Sequence, residues 1–158
     1  MQNLVSADFE EIFKILNEFG IKYLVVGAFA VINYTEPRYT KDLDILILPD
    51  INDHQRVYQA LKKFGAPLQG INPEDFKNPE LVYQIGVEPF RIDILTQIDG
   101  VKLPEVWDRK SEALYGDTLI HVLSFEDIVS AKRASARPKD LLDIDTLYYH
   151  QKIRSKKK

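Results

Sequence analysis

Cysteine is missing altogether from this chain, which excludes disulfide frameworks, thiol catalysis and cysteine-ligated zinc or iron–sulfur centres. No apolar run approaches the ~18 residues that a membrane-spanning helix requires, and the N-terminus lacks a basic segment followed by an apolar core. Neither export nor insertion in a membrane is therefore expected, and a reducing cytoplasm suits the composition. A strong excess of one charge is also lacking: the net charge of −3 argues against a general coat for nucleic acids. Five cations among residues 152–158 form a local exception, read as a basic, frayed tail over 151–158 that could still attract RNA phosphates.

What remains is an ordinary globular composition, 45% hydrophobic and 28% charged, over 158 residues. That length suits one domain over residues 1–150 with a core of its own. Phe9, Ile12, Phe13, Leu16 and Phe19 recur at helical spacing between Ser6 or Asp8 and Gly20, the pattern of a first amphipathic helix. Ile21 to Val26 reads as a short strand ending at Gly27, and Ala28 to Tyr34 as a short helix stopped by Pro37. Asp42 to Leu48 is a second strand, and Val57, Tyr58, Leu61 and Phe64 mark a second amphipathic helix closed by Gly65.

Proline and glycine in residues 66–80 predict a loop with a turn of helix at Pro73 to Phe76. Leu81 to Ile85 and Phe90 to Thr96 predict a hairpin, Pro104 to Tyr115 a helix, and Thr118 to Leu123 a short apolar strand. Ser124-Phe125-Glu126-Asp127 resembles a capping box that starts a helix to about Ala136, and Pro138 suits the first turn of another.

Three aspartates stand out against this background. Asp42 and Asp44 head one strand, and alternation puts both on the same face, about 7 Å apart. Asp93 lies between Ile92 and Ile94 on a later strand, an environment hostile to a carboxylate unless it faces a ligand or a rim. If the two strands are neighbours, three acids share one patch. Clustered hard oxygen ligands select Mg²⁺ or Mn²⁺, and two such ions together are the usual apparatus for moving a phosphoryl or nucleotidyl group. Without a cation the three would repel one another and raise their own pKa values.

Phosphate donors are also in view. Gly27 opens a helix whose free N–H groups can meet an anion, Arg38 and Thr40 precede the acids, and Arg137 and Lys139 place two cations at a helix start. Cations there oppose the helix dipole, which hints at service to something anionic.

Gly27-Ala28-Phe29-Ala30, then Arg38-Tyr39-Thr40-Lys41-Asp42-Leu43-Asp44, a lone Asp93 and Arg137-Pro138-Lys139-Asp140 together resemble the polymerase-β-like nucleotidyltransferase superfamily. The likeness is nearest to the small bacterial members often coded within toxin–antitoxin loci. It implies an α/β (α+β) fold, a mixed sheet flanked by helices, with Mg²⁺ bound by Asp42, Asp44 and Asp93. An NTP donor would be held around Gly27, Ala28, Arg38, Thr40, Arg137 and Lys139, and the acceptor would be a hydroxyl of RNA, protein or a small molecule. Ala28 departs from the family's usual Gly-Gly or Gly-Ser, removing a hydroxyl donor or backbone freedom beside the triphosphate. A catalytically weak fold that serves as a protein-binding partner is the alternative.

Overall fold

The computed structural model describes residues 6–36, 40–49, 51–86 and 90–156. α1 (Ala7–Glu18) starts where the Ser6 hydroxyl accepts from the Phe9 N–H, and buries Phe9, Ile12, Phe13 and Leu16 as the periodicity predicts. β1 (Tyr23–Val26) runs directly into α2 (Gly27–Tyr34). β2 (Asp42–Ile47) leads to α3 (His54–Phe64), capped by Asp53 at its start and closed by left-handed Gly65.

After a 3-10 turn at Pro73–Lys77 comes the expected hairpin, β3 (Val82–Ile85) with β4 (Arg91–Leu95). β5 (Ser111–Tyr115) and β6 (Thr118–Val122) form a second hairpin, followed by α4 (Phe125–Ser135) and α5 (Pro138–Lys156). Among the described residues no helix is long and apolar enough to cross a membrane.

Six strands join in the order β3-β4-β2-β1-β6-β5, mixed in direction: β2 with β4 and β1 with β6 are parallel, the other three pairs antiparallel. Helices cover both faces, so this is an α+β fold. Phe13 of α1 stacks on Tyr23 of β1, whose register partner is Ile47, which assigns α1 to the face of the odd-numbered β2 residues. Leu43, Ile45, Ile92 and Ile94 line that face and are buried. The opposite face of β2 and β4 therefore carries Asp42, Asp44, Arg91 and Asp93. α2, α4 and α5 pack on one another, and residues of α4 and α5 meet Asp44 across a cleft on this side.

Two expectations are corrected. The helix predicted between Pro104 and Tyr115 is a short 3-10 turn, Glu105–Trp107, followed by strand β5. Glu112, Ala113 and Leu114 have helical rather than strand preferences, but Gly116, at φ +61°, and Asp117 form a two-residue turn that folds β5 onto β6. Pairing outweighs local preference there. The basic segment from 151, expected to fray, instead continues α5 to Lys156. No proline or glycine interrupts it, and Arg154 and Lys156 complement the negative end of the helix dipole.

Candidate active site

β1 ends at Val26, in extended conformation, and the chain turns at once into α2 through Gly27 with φ +70°. That φ favours glycine, and space demands it too: a Cβ on Gly27 would sit 3.2 Å from Asp44 Cγ and closer still to Oδ2. Val26 and Asp44 are register partners, so the turn lies against the acid by construction of the β1–β2 ladder. No side chain caps the start of α2.

The parallel β2–β4 ladder then aligns the acids. Asp44 is the register partner of Asp93, and Asp42 that of Arg91. Asp93 is 9% exposed, Asp44 is half-buried and Asp42 is exposed. Burial drives the Asp44 carboxyl up from 3.8 to about 6, aided by the charges of Asp93 and Asp42 and by a hydrogen bond with Asp93, with Arg91 opposing.

Arg91 itself, two residues before Asp93 on the same face, brings Nε to 3.2 Å and a terminal nitrogen to 3.4 Å from the two carboxylate oxygens. The Nε contact is a charge contact without hydrogen-bond alignment, so Asp93 Oδ1 and Arg91 Nε are both buried without a hydrogen-bond partner.

Asp44 and Asp93 are thus brought together. Among the described residues, however, no three His, Cys, Asp or Glu side chains converge closely enough to hold a metal ion, unlike the three-carboxylate cluster expected. Two residues of strand, about 7 Å, separate Asp42 from Asp44, and mutual repulsion gives three bare carboxylates no reason to close further. A divalent cation nevertheless fits the donor set. Asp93 Oδ1 lacks a donor, and Asp44 is an acid pushed toward its protonated form first by burial and then by the neighbouring acids, a bias that a cation between the carboxylates would reverse.

A cleft of about 170 Å³ opens beside Asp44, between Gly27 and the C-terminal helices. Lys132, Arg137 and Asp140 line it. Asp140, fully buried, receives Arg137 through Nε at 2.8 Å and a terminal nitrogen at 3.2 Å, and Lys132 at 3.3 Å. These cations hold its carboxyl well down, to about 2, with the Arg137 hydrogen bonds the largest cause. Lys132 also reaches Asp143 at 3.0 Å, which ties α4 to α5.

The predicted binding residues separate on this evidence. Gly27 and Arg137 share the cleft with Asp44, and the anion that Arg137 meets is Asp140 of its own helix, the reason a cation is tolerated at that helix start. Lys139 is exposed and outside the cleft lining. Thr40 donates to the Asp42 carbonyl at 3.3 Å and so shapes the entry to β2. Ala28 lies half-buried in the first turn of α2, and Arg38 falls outside the described residues.

Arg91 and Lys132 are the residues that sequence reasoning missed. Both carried a signal: Arg91 has the strand parity of Asp93, and Lys132 lies three and four residues after buried Val129 and Ile128.

A mixed sheet with a carboxylate pair on adjoining parallel strands and a glycine turn beside it defines the nucleotidyltransferase class of fold. The chain belongs to a family described as nucleotidyltransferase of unknown function (DUF6036), which it matches over residues 3–154. In structure it is similar to the lincosamide antibiotic adenylyltransferase LnuA in its lincomycin-bound form, with TM-score 0.62 and 21% identity, covering 92% of this chain and 98% of that one. Also similar is ANT(2″)-Ia in complex with adenylyl-2″-tobramycin, with TM-score 0.57 and 13% identity over 95% and 97% of the two chains. An antigenic nucleotidyltransferase-like protein from Paracoccidioides brasiliensis follows at TM-score 0.51 and 16% identity, over 90% and 77%. No protein of curated function matches the chain significantly in sequence.

Proposed function

We propose that this protein transfers NMP from an NTP, with Mg²⁺ or Mn²⁺, to a hydroxyl of a small molecule. The observation that carries the reading is the facing of Asp44 and Asp93 across the β2–β4 ladder, with Gly27 packed against Asp44. Asp44 and Asp93, with Asp42 from the same strand face, would hold two divalent ions, which when bound neutralise the triphosphate and activate the acceptor hydroxyl. Arg91 steadies Asp93, whose carboxylate accepts the proton of that hydroxyl. The acceptor oxygen then forms its bond to the α-phosphorus as the bond to pyrophosphate breaks.

Glycine at 27 lets a triphosphate approach the start of α2, and Lys132 and Arg137, both ion-paired with Asp140, stand along the same cleft. Support for a small acceptor comes from LnuA and ANT(2″)-Ia, whose ligands are lincomycin and an adenylylated tobramycin, and which match this chain over nearly their whole lengths. The net charge of −3 also favours a small molecule over RNA. Absence of cysteine suits a reducing cytoplasm.

A second reading, a protein-binding member with weak catalysis such as a toxin–antitoxin component, is favoured by Ala28 at the triphosphate turn.

Incubation with each α-labelled NTP, Mg²⁺ and separate small-molecule, RNA and protein extracts tests both readings. Label in the small-molecule fraction, lost in Asp44→Asn, is the expected result. Label in RNA or protein instead would overturn the acceptor class. No label in any fraction, with equal heats of Mg²⁺–ATP titration for wild type and Asp42→Asn, would support the binding protein.

A further inference from the structure

α5 is apolar on two opposite sides, which a helix lying on a domain surface has no need to be. Its inner side buries Ile144 and Leu147 together with the ion-paired Asp140. On its outer side Leu141, Leu142, Tyr148 and Tyr149 stand 50%, 64%, 43% and 62% exposed. At 3.6 residues per turn these four fall in a sector roughly 120° wide, which also holds Asp145, Lys152 and, at the helix end, Lys156, all exposed. Isolated exposed leucines are unremarkable on a protein surface, whereas four large apolar side chains along one helix sector form a patch of the kind that marks an interface.

The two charges that flank the tyrosines select the partner. Asp145 and Lys152 are seven residues apart, two turns, and lie on either side of Tyr148 and Tyr149. Set two copies of α5 antiparallel about a two-fold axis passing between those tyrosines. Each Asp145 then faces the Lys152 of the other copy, so one isologous contact makes both ion pairs and stacks the tyrosines at its centre. A parallel pairing would instead oppose like charges. Tyr148 is oriented in advance by an edge contact with Phe125, ring centroids 5.5 Å apart.

We propose that the outer face of α5 is a self-association surface that joins two copies of this chain antiparallel. The inference goes beyond the proposed chemistry and does not depend on it. The patch from Leu141 to Lys152 spans about 18 Å of helix, which puts the contact in the small, reversible class of interface. Because Asp140 and Arg137 at the start of α5 line the cleft, the dimer would also brace a wall of the site.

Sedimentation of the full chain over a concentration series tests the surface. The expected result is a concentration-dependent monomer–dimer equilibrium, weakened at least about tenfold by either Asp145→Lys or Lys152→Asp, since each sets like charges across the axis. An equimolar mixture of the two variants should regain the dimer, because their charges complement one another. Circular dichroism and melting of each variant alone establish that it folds.

Since the chain has no cysteine, Tyr149→Cys supplies an independent readout: mild oxidation should link it across the axis, and Glu112→Cys, on β5, should stay unlinked. A wild type that remains monomeric throughout overturns the proposal. So does a dimer indifferent to both reversals, or a mixture that fails to re-associate.

Discussion

The backbone of Gly27 and the carboxylate of Asp44 are packed so closely that no side chain fits between them. Gly27→Ala would force a left-handed φ on a residue with a Cβ and push Asp44 off its position. Denaturant unfolding should register a loss of about 1–3 kcal/mol. Nucleotide transfer should fall by a far larger factor than that of an alanine placed at exposed Gly70, where a Cβ meets nothing.

Asp44 makes metal-free stability depend on pH in an unusual direction. Its folded value, about 6, lies above its ordinary 3.8, so between those limits the folded state binds more protons than the unfolded. Stability conferred by the protonated acid is present below about pH 4 and is lost as pH rises through about 6, on the order of 2–3 kcal/mol. Asp44→Asn should consequently melt higher than wild type at pH 7 without metal and match it near pH 4. Adding Mg²⁺ at pH 7 should raise the wild-type melting temperature and leave the variant's unchanged.

Arg91 acts through Asp93. Replacing it with Gln removes the charge that holds that carboxylate in place, and kcat is expected to drop about 10–100-fold while the circular dichroism spectrum is kept. A pH–rate profile tells positioning from mere structure: Arg91 also opposes the raised Asp44 carboxyl, so loss of the cation should displace the acidic limb set by Asp44 to higher pH, whereas a purely structural role would scale the whole profile down.

Asp140 joins α4 to α5 through Lys132 and Arg137. Asp140→Asn takes from the largely buried Lys132 one of its two counter-charges, Asp143 remaining, and should cost about 1–2 kcal/mol in urea unfolding. Because the wild-type carboxyl is held at about 2, below its ordinary 3.8, the stability it contributes is complete above pH 4 and is lost as pH falls through about 2. The difference between wild type and variant should therefore shrink in acid.

Local pattern determined much of this protein. Helical spacing in α1 and α3, the Gly27 turn and alternation along Asp42 to Leu48 are short-range properties, readable because side-chain direction follows a period of 3.6 or 2. From the same rule came the shared face of Asp42 and Asp44, and the hairpin that carries Asp93. Other features needed the assembled chain. That β2 and β4 lie parallel with Asp44 opposite Asp93 depends on a strand crossover that no local pattern encodes. The same folding brought Lys132 of α4 onto the buried Asp140 of α5, beside the Asp140–Arg137 pair, and drew Ser111 to Tyr115 into a strand against its own preference. Periodicity assigns a residue to a face, but which faces meet is decided by long-range pairing and burial, energies that exist only once the sheet and its helices have come together.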